Sequence, residues 1–325
     1  MTCAHPFRFA ATLPAPTRPL GEWKARLCHL EDLGLWSVVA ADHFTGGYTF
    51  EPMVALTAAA DATTTLRLQT GVLGNDYRHP VLVHRMASLL DVVSDGRLVL
   101  GLGAGWMTTD YEAAGIPLDP PGVRVSRFAE ALTVVKGLFG PAPFDFDGEH
   151  YEVHGLDGLP KPVQQPHPPL FVGGGSPRVL RLAGGEADIV GINASLRAGE
   201  LGSDAVRDLS FERVAEKITW ARDGATGARR DPDAVELEMN HWLAKVTPSA
   251  AAASDLLERM GKRFEVDPAV LTTSPSVLVG TAAQIVDTLR ARREQLGISV
   301  LQLDAGFPTP DLDAFAPVIE TLAGT

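Results

Sequence analysis

The stretch Gly96–Trp106, GRLVLGLGAGW, decides which architecture the chain can have. An apolar run flows into GLGAG, and a glycine-rich turn after a strand usually marks a nucleotide site. A dinucleotide fingerprint, however, needs G-x-G-x-x-G opening a helix, with the third glycine letting helix and strand pack closely. Counted from Gly101, that glycine falls at position 106, which is Trp106. The residues that follow, MTTDYEAAGIP, reach Pro117 before any long apolar-periodic helix is established. The turn is not a Rossmann turn, and its glycines need another explanation.

Outward from this stretch, strand-like and helix-like segments take turns. FRFAATL (7–13), WSVVAADH (36–43), LRLQTGVLG (66–74) and GRLVLGLG (96–103) read as strands, each followed by a helical pattern. PPLFVGGG (168–175), ADIVGI (187–192), VELEMNHWLAKV (235–246) and ISVLQLDA (298–305) supply four more. Near-continuous apolar strands in β-then-α order predict a parallel sheet closed into a barrel. The expected fold is a (β/α)8 TIM barrel with insertions at its C-terminal face. One insertion spans about 140–169 and includes a hairpin pattern, FDFDGEHYEVHG; the other is NASLRAGELGSDAVRDLS (193–210). A doubly wound open sheet competes, but LPAPTRPLG after strand one has only one glycine and makes no dinucleotide turn.

Composition narrows the function classes. The chain has 325 residues, 45% hydrophobic and 21% charged, which is ordinary for a globular enzyme. A net charge of -12 argues against a nucleic-acid binder, which needs a basic surface. The only cysteines, Cys3 and Cys28, lack disulfide-framework, metal or redox spacing. No signal-peptide layout and no run of membrane-spanning length is present, so the expected location is cytoplasmic.

In such a barrel, chemistry sits at the carboxyl ends of the strands. That rule selects Asp42 and His43, Gly71 to Asn75, Gly103 to Trp106, Gly173 to Ser176, Asn193 and Asp304. His43 is either a strand-end structural histidine or a base, since a neutral imidazole accepts a hydroxyl proton near pH 7. In GGGSP, glycines allow close backbone approach, Ser176 suits the N-cap and Pro177 the first helical position, so the turn can receive a phosphate. The bland alternative is a tight strand-to-helix turn, with Arg178 and Arg181 as solvated helix residues. Trp106 is either a packing residue or a wall of the pocket. His150, Glu152 and His154 share one face of a strand, but a solvent-facing hairpin stripe gives the same pattern, and no metal is expected.

The pieces SVVAADHF, TGVLGNDYRHPVLVHRMASLLDVVSDGRLVLGLGAGW, PLFVGGGSPRVLRLAGGEADIVG and LVGTAAQIVDTLRARREQLGISVLQL span nearly the whole chain. In that order they resemble the luciferase-like monooxygenase superfamily, and within it the branch that uses the deazaflavin F420. The resemblance implies a single luciferase-like (β/α)8 domain over residues 1–325, a homodimer, and a cofactor at the carboxyl face. It places Asp42 and His43 beside the deazaflavin ring as catalytic residues, with Asp42 an orienter or ring contact. It implies a cis peptide at Gly71–Val72, forming a bulge behind the ring. Gly103, Gly105 and Trp106 would also border the cofactor, and Gly173, Gly174, Gly175 and Ser176 would hold its phosphate. Two departures matter. Trp106 stands where the sugar-phosphate dehydrogenases of this branch have a proton-donating glutamate, and DHF runs into TGGYTF without their following tryptophan. Sugar-phosphate oxidation is therefore not expected.

The sequence thus predicts an F420-dependent oxidoreductase moving a hydride between the deazaflavin and an unidentified small organic substrate. An FMN-dependent monooxygenase using reduced flavin and O2 is the alternative. A barrel that binds a ligand without chemistry is a third reading, opposed by the presence of both Asp42 and His43.

Overall fold

The computed structural model describes residues 5–195, 202–303 and 311–325; Cys3, Asp304 and positions 196–201 of the second insertion lie outside them. Eight strands run β1 (Arg8–Thr12), β2 (Ser37–Ala40), β3 (Arg67–Thr70), β4 (Leu98–Gly103), β5 (Leu170–Gly174), β6 (Ile189–Ile192), β7 (Glu236–Asn240) and β8 (Ile298–Gln302). Their pairing order is β3-β2-β1-β8-β7-β6-β5-β4, with β3 also paired to β4, so the sheet returns on itself. Helices follow the strands, and Pro52, Pro80, Pro121 and Pro177 begin four of them, where a missing N–H costs no intrahelical bond. This is the (β/α)8 fold read from the sequence. Every residue of β2, β4, β6 and β8 is buried, as strands covered on both faces require.

The chain forms two compact units. One comprises residues 13–28 and 38–173; the other comprises 1–12, 29–37 and 174–325. In the first, β3 and β4 register Leu68 with Leu98, and β4 and β5 register Leu102 with Val172. Thr70 adds a side-chain tie to this ladder: its hydroxyl accepts from Gly101 N (2.7 Å) and donates to Gly101 O (2.8 Å). Only glycine fits at 101, because a Cβ there would strike the Thr70 carbonyl oxygen. In the second unit, β8 pairs in parallel with β1 (Arg8 with Val300) and β7 (Met239 with Leu301), and β7 pairs with β6 (Leu237 with Val190).

One predicted strand is two. VELEMNHWLAKV leaves the ring after Asn240: His241 N still donates to Gln302 O (2.9 Å), but the Trp242 indole turns to Ser276 Oγ (3.1 Å). Leu243–Val246 then pairs in parallel with Val277–Gly280, a strand the sequence reading did not separate. The 140–169 insertion does contain its hairpin, Phe144–Asp147 against Glu152–Leu156. Its turn is tied to the helix Pro121–Phe139 by Glu130, whose carboxylate accepts from the backbone N–H groups of Glu149 (2.9 Å), His150 (2.8 Å) and Tyr151 (3.2 Å). Among the described residues no helix is long and apolar enough to cross a membrane.

Candidate active site

Strand β2 ends in AADHF, and the extended backbone past Ala40 turns two side chains to different partners. His43 goes to Asp110: its Nδ1 lies 2.6 Å from Asp110 Oδ2. Asp110 sits in the first turn of the helix Thr108–Ala114 and is 0% exposed. A carboxylate so buried persists only when fully hydrogen-bonded. Its Oδ1 accepts from Thr45 Oγ1 (2.6 Å), Thr45 N (2.9 Å) and Phe44 N (3.1 Å), and its Oδ2 also accepts from the Tyr77 hydroxyl (3.3 Å). Burial alone would raise its pKa, but the bonds from Thr45, His43 and Phe44 outweigh that and hold the carboxyl below the usual aspartate range. In a neutral His43 imidazole, the tautomer that donates from Nδ1 to an ionised Asp110 leaves the Nε2 lone pair as an acceptor.

Asp42 has a different task. It is 3% exposed, and Arg78 grips it through both guanidinium ends, Nη1 to Oδ2 (2.5 Å) and Nη2 to Oδ1 (3.1 Å). Its Oδ2 also accepts from Gly74 N (3.0 Å), and Arg78 Nη2 extends the pair to Glu51 Oε1 (2.7 Å). Burial would lower the Arg78 pKa, but Asp42 and Glu51 outweigh it and keep it raised. Asp42 is thus a tether for the backbone leaving β3, three residues past the Gly71–Val72 bond.

That bond is cis, as expected from the resemblance. It separates β3 from the two-residue strand Leu73–Gly74, and Gly71 N donates to Ala40 O (2.8 Å). The surroundings leave no room for side chains. A Cβ on Gly71 would strike Val39 Cγ1, and one on Gly103 would lie 2.7 Å from Val72 Cγ2. After β4, Gly105 has φ 76°, and its carbonyl and that of Ala104 both accept from Arg124 Nη1. The loop so held carries Trp106, whose ring meets the His43 imidazole edge-on at 5.5 Å between centroids. The Tyr48 ring also lies against His43, tilted at 4.6 Å between centroids, so the imidazole touches two aromatic rings. Desolvation, then the Asp110 charge, raises the Tyr48 pKa and keeps its hydroxyl protonated.

Farther out, Arg127 bridges Asp76 (2.8 Å) and Asp119 (2.7 Å), and Asp76 accepts from the Tyr111 hydroxyl (2.9 Å). The helix of Asp110 is thereby held by the residue next to it.

Gly174, Gly175 and Ser176 belong to the other compact unit, and Gly173 ends the first. Ser176 takes the N-cap position of the helix Pro177–Glu186, with Pro177 at its start, but its side chain makes no capping bond. The glycines have internal reasons too. A Cβ on Gly174 would strike Val179, and one on Gly175 would strike the Ala194 and Ser195 backbone. The residues thus fit a phosphate cradle: a bare backbone turn at a helix start, with the Ser176 hydroxyl left uncommitted by the cap.

The structure therefore brings Asp42, His43, Gly71, Val72, Gly103, Gly105 and Trp106 into one cluster within one unit. Sequence reasoning missed Asp110, Thr45, Tyr48 and Arg78. Asp110 carried one signal, an acid in the first turn of a helix at the carboxyl face, but nothing in the sequence ties it to a histidine 67 residues away. Glu152 and His154 of the hairpin stripe are exposed, and among the described residues no group of acids, histidines and cysteines is arranged to hold a metal ion.

The luciferase-like monooxygenase family profile matches residues 1–299. An F420-dependent glucose-6-phosphate dehydrogenase of Intrasporangium calvum is 26% identical over 283 residues, 79% of this chain and 83% of that protein. The oxygenase component of a flavin-dependent trigonelline monooxygenase of Acinetobacter baylyi is 27% identical over 197 residues, 59% of this chain and 53% of that protein. Among solved structures, the coenzyme F420-dependent tetrahydromethanopterin reductase of Methanopyrus kandleri superposes with a TM-score of 0.72 at 17% identity, covering 97% of each chain.

Proposed function

The chain belongs to the luciferase-like monooxygenase family, and we propose that within it the protein is an F420-dependent oxidoreductase acting on a small organic alcohol or carbonyl compound. The observation that carries the proposal is the His43–Asp110 pair: dehydrogenating an alcohol requires a base fixed in one tautomer, and this pair supplies it. The relatives include F420 enzymes and a flavin monooxygenase alike, so the choice of F420 rests on the DHF and strand-three resemblance.

When bound, the deazaflavin supplies a two-electron acceptor for hydride at C5. The chain does the rest. His43 Nε2 takes the hydroxyl proton as the C–H bond gives up its hydride, which leaves a carbonyl product and an imidazolium. Asp110, ionised and buried, stabilises that imidazolium through Nδ1–H and does not itself become protonated. In the reverse direction the same nitrogen returns the proton. Trp106 and Tyr48 pack against the imidazole, and Arg78 holds Asp42 so that the backbone at Gly74 stays fixed. Gly174, Gly175 and Ser176 would receive the cofactor phosphate, and the bulge at Gly71–Val72 with Gly103 would support its ring. A single-domain, cytoplasmic homodimer is part of the same reading.

An FMN-dependent monooxygenase using reduced flavin and O2 is the alternative, since it would use the same barrel and phosphate turn. Titrating apo-protein with F420 and with FMN separates the two. Clearly tighter F420 binding is expected, and equal or tighter FMN binding transfers the assignment to the monooxygenase.

A further inference from the structure

Lys217, in the middle of the helix Phe211–Gly227, is 0% exposed, an uncommon state for a lysine. Its Nζ donates to Asp208 Oδ2 (2.5 Å) and to the backbone carbonyl of Asn193 (2.8 Å). Asp208 Oδ2 accepts in turn from Ser195 N (2.8 Å), and Asp208 Oδ1 from Arg213 Nε (3.1 Å). The lysine and aspartate thus hold both ends of Asn193–Ser195, the segment that follows β6. The middle of that segment is the surface against which Gly175 packs without room for a Cβ. Asn193 N also donates to Gly174 O (2.9 Å).

The same helix also packs on the helix that follows the turn. It packs backbone to backbone on the helix Pro177–Glu186: a Cβ on Gly184 would strike the Ala221 carbonyl, and one on Gly224 the Arg181 carbonyl. One helix therefore packs on the middle and end of the Pro177 helix, at Arg181 and Gly184, through glycine contacts, and holds the 193–195 wall through an ion pair with a buried lysine. A pair of this kind gives little net stability relative to an apolar replacement, and what this one does visibly is tie the Phe211–Gly227 helix to both ends of 193–195.

We propose that Lys217 and Asp208 are positioning residues for the Gly174–Ser176 phosphate cradle, acting through the 193–195 segment. The inference rests on the phosphate site assigned above, and the experiment distinguishes failure of that site from failure of the pair. The probes are FMN and riboflavin, which differ by the phosphate, and F420 with its phosphate-free deazariboflavin core. Dissociation constants are measured by fluorescence titration for the wild type, for Lys217→Met, and for the double variant Lys217→Met with Asp208→Asn. The double variant leaves no lone buried charge and carries the test where the single one fails to fold. Wild type is expected to prefer each phosphate-bearing ligand. The variants are expected to lose about tenfold of that preference, the worth of a strong hydrogen-bonded contact, with affinity for the phosphate-free ligands kept. A wild type with no preference overturns the phosphate site itself. Variants that keep the preference, or lose both ligands equally along with thermal stability, overturn the positioning role and leave the site standing.

Discussion

The His43 cluster and the Gly174–Ser176 turn obtain their order by opposite means. Around His43, groups from the segment after β2, from the segment after β3 and from the helix Thr108–Ala114 interlock through charge: Asp110 takes hydrogen bonds from Phe44 N, Thr45, Tyr77 and His43, and Asp42 takes Arg78. At the turn, the main chain is shaped by glycines against Val179, Ala194 and Ser195. The difference suits the tasks proposed for them. Moving a proton needs a partner with a controlled charge, while holding a phosphate needs N–H groups at fixed places. It also predicts where each region is fragile.

The strongest test removes the imidazole. His43→Ala is expected to slow single-turnover hydride transfer by about 10²–10⁴-fold, the range of general-base catalysis, with a smaller change in cofactor dissociation constant. Turnover that survives unchanged with a verified substrate takes the role of base from His43. Next is Arg78→Met, which leaves Asp42 buried without its cation and should cost about 3 kcal/mol in urea unfolding. A loss near zero would mean that the Asp42–Arg78 pair is not what orders its region. Asp110→Asn keeps the shape but not the charge, and should lower the hydride-transfer rate by about 10- to 100-fold, the worth of a hydrogen bond to a charged group. An unaltered rate would reduce Asp110 to a packing residue.

The smallest effect is one the two regions share, since each unit holds a buried histidine. Burial, then Lys161 and Arg85, lowers the His84 pKa to about 4; burial, then Arg292, lowers that of His241 to about 3. Both stay neutral in the fold while the unfolded chain takes up protons below about pH 6.5. Stability is therefore lost as pH falls from about 6.5 towards 4. Urea midpoints at those two pH values should show the decline, and His84→Gln should flatten it. An unchanged slope in the variant would clear His84 of any part in it.

What could be read in the sequence follows the same division. Gly174 and Gly175 were legible because a glycine marks in the sequence itself a place with no space for a Cβ, whichever segment fills that space. The ring of strands was legible because burial on both faces writes a continuous apolar run. Asp42 was found, but its partners Arg78 and Gly74 were not, because they come from a segment more than thirty residues on. Asp110 was not found, because a hydrogen bond between distant segments leaves no pattern in either of them. The break in VELEMNHWLAKV was missed because both halves carry strand-like apolar residues, and what divides them is the partner each half meets.

Glu130 has a consequence outside the chemistry. The tip of the hairpin is the kind of surface turn that a protease opens first, since it needs an extended, unbonded stretch of backbone to cut. Here three consecutive N–H groups at the tip end on one carboxylate of a neighbouring helix. Those hydrogen bonds outweigh the cost of partial burial and hold the carboxyl below the usual glutamate range. The grip therefore persists through mild acid, and limited digestion of the folded protein should leave the bonds around Glu149–Tyr151 uncut until Glu130 is replaced by alanine.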